Sequence, residues 1–269
     1  MTPRSSRLLR ELKAGRNPCT LKLNLNDPRI IELAGLAGAS AVWLCNEHVP
    51  NDWLNLENQV RAAKLHDMDS IVRVSKGGYS DYVKPFEMDA TAIMVPHVTT
   101  AEEARKIVEM TRFMPLGRRP IDGGNTDGAF CQIPTADYLR HSNSERLLIL
   151  QIESPEALAN VEKIAAVPGF DVLLFGPGDF SHLIGKAGQI SDPEVVAARK
   201  RVAAAAQAHG KYLMMPGMIA PRPELEAEGW RIFNIGADVI SLGTALNRLV
   251  ADYRRENALA PAAVYSAKS

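Results

Sequence analysis

The sequence has few cysteines, and those few show no pattern that suggests a cross-link or a metal site. Cys19, Cys45 and Cys131 are odd in number and widely spaced, which excludes a disulfide framework and a C-x-x-C motif. This usage is typical of a reducing compartment, and we expect a cytoplasmic protein. Closely spaced histidine and cysteine pairs are also missing, which argues against a zinc site built from those ligands.

The sequence also lacks an excess of charge and any long apolar run. Its 31 basic and 31 acidic side chains balance, so nothing suggests attraction to nucleic acid or to an anionic membrane. No apolar run approaches the ~20 residues that a membrane-spanning helix needs. Residues 1–16 are basic but have no apolar core of a secretory signal. The spacing of Leu8, Leu9 and Leu12 instead predicts an amphipathic surface helix.

Apolar, β-prone runs alternate with helix-like segments along the chain. The predicted strands are Thr20–Leu25, Ala41–Leu44, Ser70–Val74, Ala92–Val95, Leu148–Ile152, Val172–Phe175, Tyr212–Met215 and Val239–Leu242. The predicted helices are Asp27–Ala37, Trp53–His66, Ser80–Phe86, Thr100–Thr111, Pro155–Ala166, Pro193–His209, Arg222–Gly229 and Ala245–Glu256. Strict alternation predicts a parallel sheet, and eight βα units in about 250 residues are typical of a TIM barrel.

We therefore predict a single α/β domain over residues 1–269, a (β/α)8 TIM barrel with residues 1–16 as an N-terminal helix and residues 258–269 as a C-terminal tail. An open doubly wound sheet is the alternative, but no G-x-G-x-x-G motif follows the first strand. The glycine- and proline-rich segment Met114–Asn143 interrupts the alternation and is predicted to be a long loop leading to a short helix near Thr135–His141. It is either a functional loop or packing over the end of the barrel.

Two acidic residues follow two neighbouring strands in the stretch Leu147–Gly185. Glu153 comes after the first strand of this stretch, and Asp179 comes after the second, in a Gly-Pro-Gly-Asp turn. Parallel strands joined by a helix end on the same side of the sheet, so the two carboxylates should face one crevice. Either acid alone could instead cap the next helix. Both together suggest a site for a hard divalent cation.

The other strand ends carry further candidates. Arg73 ends a strand that should be buried on both faces, where a guanidinium needs an anionic partner. That partner is either Glu47 or Glu153 in a structural salt bridge, or a substrate carboxylate or developing oxyanion. His48, beside Glu47 in the predicted mouth, is a candidate general base.

The remaining histidines, His97 among them, are predicted to be structural or solvated. The backbone amides of Gly178 and Asp179 are predicted to bind a carboxylate.

Several motifs together resemble those of one enzyme family. They are Glu47-His48, Arg73-Val74, IMVPHVTTAEEAR (93–105), PLGRR (115–119), QIESPEALAN (151–160) and FGPGDFS (175–181). From roughly Leu21 to Leu249 the sequence resembles the HpcH/HpaI aldolases, the metal-dependent class II pyruvate aldolases of the phosphoenolpyruvate/pyruvate barrel superfamily.

The resemblance implies a role for each matching residue. Glu153 and Asp179 would be ligands of Mg²⁺, Mn²⁺ or Co²⁺, with Gln151 beside the metal. Pyruvate would chelate the metal, which would act as a Lewis acid, with its carboxylate on the amides of Gly178 and Asp179. Arg73 would stabilise the enolate and steer the aldehyde. His48 would move the proton with the help of a metal-bound water. The family also forms hexamers, as trimers of dimers, which implies exchange of the last helix between subunits.

The sequence departs from the family pattern at two acidic positions. Cys45 stands where the family has an aspartate that orients the histidine, and Glu47 is a possible replacement. Glu87 stands near the fourth strand where the family has an aspartate. Both residues are candidates for a supporting role around the site.

The main hypothesis is reversible cleavage of a 4-hydroxy-2-oxo acid to pyruvate and an aldehyde. One alternative is a carbon–carbon lyase acting on a CoA thioester, of the citrate or malyl-CoA lyase type, which turnover of a thioester would reveal. Another is a barrel that binds an oxo acid but is catalytically weakened by Cys45. Tight Mn²⁺ and oxalate binding without turnover would indicate that alternative.

Overall fold

Eight parallel strands close into a barrel in the computed structural model, which describes residues 3–255. The strands, β1 to β8 in order, are Cys19–Leu23, Ala41–Cys45, Asp69–Arg73, Ala92–Val95, Leu147–Ile152, Val172–Phe175, Tyr212–Met215 and Ile232–Ala237. Each strand pairs with its neighbours in sequence, and β8 pairs with β1. This closure confirms the predicted TIM barrel and excludes the open sheet.

Helices follow the strands and surround the barrel. The helices, α1 to α12 in order, are Arg7–Lys13, Pro28–Leu36, Trp53–Leu65, Tyr79–Glu87, Ala101–Thr111, Thr135–Glu145, Pro155–Ala159, Val161–Ala165, Pro177–Leu183, Pro193–Ala208, Arg222–Ala227 and Asp238–Arg254. A 3₁₀-helix covers Thr126–Cys131. Within residues 3–255, every helix is too short or too polar to span a bilayer. The predicted tail, 258–269, lies outside the described residues.

The strands are buried on both faces, and this divides the core into two layers. Side chains alternate between the faces of a strand. In β2, for example, Trp43 belongs to the cluster inside the barrel, whereas Val42 and Leu44 belong to the cluster between the sheet and the helices. Polar side chains are therefore free to project into the mouth only where strands end, which is where barrels carry their chemistry.

The N-terminal helix closes the opposite end of the barrel. Leu8, Leu9 and Leu12 of α1 are buried and join the interior cluster, so the predicted apolar face exists but plugs the barrel. Asp69, the first residue of β3, fixes this helix by accepting hydrogen bonds from the backbone N–H of Leu8 and the hydroxyl of Ser6, both at 2.8 Å.

The predicted last strand was wrong. Val239–Leu242 belongs to α12, and β8 lies earlier, at Ile232–Ala237. The sequence of β8 is IFNIGA, in which Asn234 and Gly236 interrupt the apolar pattern that marks the other strands. The final helix accordingly begins at Asp238 rather than at Ala245. The other seven predicted strands differ from the observed ones by no more than two residues at an end.

The long loop lies at the amino ends of the strands. It leaves α5 and leads through α6 into β5, and such helix-to-strand connections lie opposite the catalytic face of a TIM barrel. Phe113 donates its backbone N–H to the Asn143 side chain at 3.0 Å, which ties the two ends of the segment together. Its buried Arg119 lies 2.9 Å from Asp127. Of the two predicted roles, packing at an end of the barrel agrees with this position.

Candidate active site

Five polar side chains come from the carboxyl ends of five consecutive strands. Glu47, Arg73, His97, Glu153 and Asp179 follow or end β2, β3, β4, β5 and β6 respectively. Because adjacent strands are hydrogen-bonded neighbours, these residues form an arc around one half of the barrel mouth. The predicted residues Glu47, Arg73, Glu153 and Asp179 thus lie together, with His97 as an addition.

Glu153 is a buried carboxylate at the centre of this arc, with only 2% of its surface exposed. Its Oε1 accepts the backbone N–H of His97 at 2.7 Å, and its Oε2 accepts the side-chain N–H of Gln151. Burial, against the lowering effect of His97 and with a further contribution from the neighbouring carboxylate of Asp179, raises the pKa of Glu153 to about 7. A cation placed between Glu153 and Asp179 would relieve this repulsion.

Asp179 lies in the first turn of α9 and is exposed to the mouth. The predicted turn is thus the start of a helix, where the N–H groups of Gly178 and Asp179 have no intrahelical acceptor. Gly176 precedes this helix and passes very close to Glu153: a Cβ at position 176 would lie 2.7 Å from the Glu153 Cβ. Only glycine allows β6 to bring the start of α9 so close to Glu153.

The donors around Glu153 fit a hard divalent cation. Two carboxylates and the amide oxygen of Gln151, which is buried without a hydrogen-bond partner, provide oxygen only. Within residues 3–255, no three His, Cys, Asp or Glu side chains converge as a ready-made metal cluster. The protein would therefore contribute its two carboxylates, and water or substrate would complete the coordination.

Arg73 is buried on the other side of the arc, with 5% of its surface exposed. Its guanidinium lies over the ring of Trp43, 5.0 Å from the centroid, and its Nε lies 3.0 Å from Glu47 Oε2. Of the two salt bridges considered from the sequence, the structure contains the one to Glu47. Arg73 also donates from Nη2 to Cys45 Sγ at 3.1 Å.

Cys45 therefore contacts an arginine, and it contacts His48 only through the backbone. Its sulfur accepts the His48 N–H at 3.4 Å. Burial by itself raises the pKa of the Cys45 thiol, but the adjacent Arg73 guanidinium and the backbone donors of His48 and Glu47 outweigh this effect. The net result is a lowered pKa. Cys45 Sγ is thus a hydrogen-bond acceptor for the Arg73 guanidinium.

Glu47 faces two histidines. His48 is largely exposed, and its Nε2 lies 3.5 Å from Glu47 Oε2. His97 lies between the two glutamates, with Nε2 3.1 Å from Glu47 Oε1 and Nδ1 3.0 Å from Glu153 Oε1. Its backbone φ of 55° is in the left-handed region, which is uncommon for a residue other than glycine.

From the sequence, His97 was predicted to be structural or solvated. Its position just after the predicted strand Ala92–Val95 was the feature that could have indicated a place at the barrel mouth.

Glu87 does not join the arc. It is the last residue of α4, and its ionic contact is with Arg119 of the long loop, 4.0 Å away. Burial raises the pKa of Glu87, against the lowering effect of Arg119. Within the described chain it has no contact with Glu153 or Asp179, because α4 carries it away from the mouth. The position of Glu87 in this chain therefore does not bring it to the site around Glu153.

Known proteins resemble this chain over most of its length. It is 34% identical over 222 residues to the 5-keto-4-deoxy-D-glucarate aldolase of Klebsiella pneumoniae, covering 82% of this chain and 84% of that protein. It is 33% identical over 241 residues to the hydroxypyruvate/pyruvate aldolase of Delftia acidovorans, covering 88% of each. The crystal structure of an HpcH/HpaI aldolase from Desulfitobacterium hafniense superposes with a TM-score of 0.85 at 26% identity, covering 92% of this chain and 96% of that one.

The family model described as HpcH/HpaI aldolase/citrate lyase matches residues 19–245, which include all five residues of the arc. This match confirms the resemblance that the motifs indicated. The chain belongs to the HpcH/HpaI aldolase/citrate lyase family.

Proposed function

We propose that the protein is a class II pyruvate aldolase, a lyase that reversibly cleaves a 4-hydroxy-2-oxo acid to pyruvate and an aldehyde. The observation that carries this proposal is the juxtaposition, at one barrel mouth, of the Glu153–Asp179 carboxylate pair with the buried Arg73 guanidinium. The two relatives named above are aldolases, and this favours aldol cleavage over the CoA-thioester reaction.

A divalent cation, Mg²⁺, Mn²⁺ or Co²⁺, fits the oxygen donors of this site. Glu153 and Asp179 would hold it, beside Gln151, whose amide oxygen is buried without a hydrogen-bond partner. When bound, such an ion polarises the carbonyl of a 2-oxo acid as a Lewis acid. The amides of Gly178 and Asp179, at the start of α9, would hold the substrate carboxylate.

The remaining residues orient the substrate and move the proton. Cleavage removes the proton from the C4 hydroxyl, breaks the C3–C4 bond and returns a proton to C3 of pyruvate. Arg73 would bind the oxygen that develops negative charge, because its guanidinium is already fixed by protein contacts. His48 would carry the proton, with Glu47 beside it as its acidic partner.

The final helix suggests assembly into an oligomer. Apolar side chains of α12 recur on one face and are exposed, namely Val239, Leu242, Leu246, Leu249 and Tyr253. An apolar cavity of about 310 Å³ opens between β1, α2 and the start of α12, and Leu21, Leu23, Ile30 and Leu33 line it. A homo-oligomer that exchanges α12, in a hexamer built as a trimer of dimers, would cover both surfaces.

The test is pyruvate release from a panel of 4-hydroxy-2-oxo acids, with the metal content defined. Metal-free protein should be inactive, and added Mn²⁺ should restore turnover. Full activity after exhaustive EDTA treatment would contradict the metal requirement. Turnover of a CoA thioester but of no aldol would contradict the assigned reaction, and metal and oxalate binding without any turnover would indicate a barrel that only binds.

A further inference from the structure

Three side chains of β2 and its extension enclose the guanidinium of Arg73. Trp43, Cys45 and Glu47 are spaced by two residues, so they share the inner side of the strand. The register pairs Cys45 directly with Arg73 of β3. Trp43 lies under the guanidinium, Cys45 Sγ meets Nη2 and Glu47 approaches Nε. Strand β2 thus holds Arg73 from three directions.

The hydrogen bonds at Cys45 indicate the protonation state of its sulfur. Sγ receives two donors, Arg73 Nη2 at 3.1 Å and the His48 N–H at 3.4 Å. A thiol would leave its own hydrogen without an acceptor, since within residues 3–255 the sulfur only accepts hydrogen bonds. Cys45 is 2% exposed, so water does not readily supply one. Two donors and no acceptor fit a thiolate better than a thiol.

The charged groups around Cys45 also favour a thiolate. Arg73 of β3 is the charged group that faces Cys45, while Glu47 and His48 follow Cys45 on its own segment. Lys22 of β1 lies instead over the ring of Trp43, 5.6 Å from the centroid. The pKa of the Cys45 thiol is lowered by Arg73 and by backbone donors, despite its burial.

We propose that Cys45, as a thiolate, is a positioning residue that fixes the Arg73 guanidinium for the aldol reaction. The kinetic effect of Cys45 rests on the proposed function, whereas the protonation state of its sulfur rests on the geometry alone. Cys45 thereby supplies the negative charge that the family's aspartate would bring to this position. It places that charge on the arginine, since its sulfur does not contact the imidazole of His48.

The first experiment measures the thiolate without any substrate. The ultraviolet absorbance of wild type minus that of Cys45→Ser should show one thiolate at neutral pH, and the same difference in an Arg73→Gln background should disappear. Absence of the band in wild type, or its persistence without Arg73, would overturn the proposal. If Cys45→Ser fails to fold, comparing wild type with Arg73→Gln gives the same decision. Because no turnover is involved, this result is independent of the proposed reaction.

The second experiment measures kinetics on an aldol that the wild type cleaves. Cys45→Ser should lower kcat by about 10- to 100-fold while the metal concentration for half-maximal activity changes little, because Arg73 loses its alignment but the carboxylates do not. Cys45→Asp should recover most of the loss, and Cys131→Ser, at an exposed cysteine, should match wild type. Wild-type turnover in Cys45→Ser, or a Cys45→Asp variant no better than the serine variant, would refute the positioning role. Failure of wild type on every aldol would instead contradict the proposed function.

Discussion

Replacing Glu153 with glutamine should stabilise the metal-free protein at high pH and leave its stability nearly unchanged at low pH. Burial raises the pKa of this carboxyl from 4.5 to about 7. A raised carboxyl pKa means that the folded state holds the proton more tightly than the unfolded state does. The stability that the protonated acid provides is complete below about pH 4.5 and is lost as the pH rises through about 7.

The size of the stability change follows from the difference between the unfolded-state and folded-state pKa values of Glu153. At about 1.36 kcal/mol per pKa unit, a change from 4.5 to about 7 corresponds to roughly 3 kcal/mol of unfolding free energy at pH 8. Glutamine carries no charge and escapes this penalty. The protonated carboxyl, like glutamine, has one carbonyl oxygen to accept the hydrogen bonds from His97 and Gln151, so the variant resembles wild type at low pH. The gain at pH 8 is therefore roughly 3 kcal/mol.

The assay is urea unfolding of wild type and Glu153→Gln in EDTA, at pH 5 and pH 8. The variant should be more stable by roughly 3 kcal/mol at pH 8 and close to wild type at pH 5, so that the two stability curves diverge as the pH rises. Glu156→Gln, at an exposed position three residues further along the chain in the first turn of α7, is the matched control and should follow wild type at both pH values. Curves that stay parallel from pH 5 to pH 8 would contradict the raised pKa of Glu153.

Three further predictions concern Arg73, the two histidines and α12. Arg73→Ala should lower kcat/KM by about 100-fold or more. Arg73→Lys should not restore kcat/KM, because a lysine cannot contact Cys45 and the substrate in the same plane. Near-normal turnover of either variant would contradict the role of Arg73. His48→Asn should lower kcat by about 100-fold or more at saturating metal. His97→Asn should instead raise the metal concentration required for activity by about 10- to 100-fold, because His97 contacts Glu153. Steady-state kinetics at varied Mn²⁺ measure both effects, and the reverse assignment of the two effects would contradict these roles. Leu246→Asp, on the exposed apolar face of α12, should dissociate the proposed oligomer and lower the mass measured in solution, and an unchanged mass would exclude that face as an interface.

The barrel was predictable because most of its strands are uninterrupted apolar runs. A strand buried on both faces needs apolar residues at every position, and β5 and β6 meet this condition almost completely. The last strand does not, because Asn234 points into the interior, where it is buried and bonded to the Thr20 hydroxyl at 3.3 Å. The partner of Asn234 lies on β1, which is adjacent in the barrel but distant in the sequence, so the local sequence pattern does not reveal this contact.

The site was predictable to the extent that it depends on strand ends. Glu153, Asp179 and Arg73 were found because topology alone brings such residues to one mouth. His97 was not, since its contacts depend on a left-handed backbone conformation that turns both its N–H and its imidazole towards Glu153. The Cys45–Arg73 contact required the strand register, which the sequence does not specify to the residue.

The charges of the mouth fall into two groups with opposite requirements. Arg73 contacts Cys45 and Glu47, and these contacts leave the Glu153 carboxylate available. Burial raises the pKa of Glu153, and the neighbouring carboxylate of Asp179 adds to this effect. Within the described chain, Nη1 of Arg73 donates to no protein atom, whereas Nη2 and Nε face Cys45 and Glu47. The protein thus fixes the guanidinium through Nη2 and Nε, and Nη1 is the atom that we expect an oxygen of the substrate to contact.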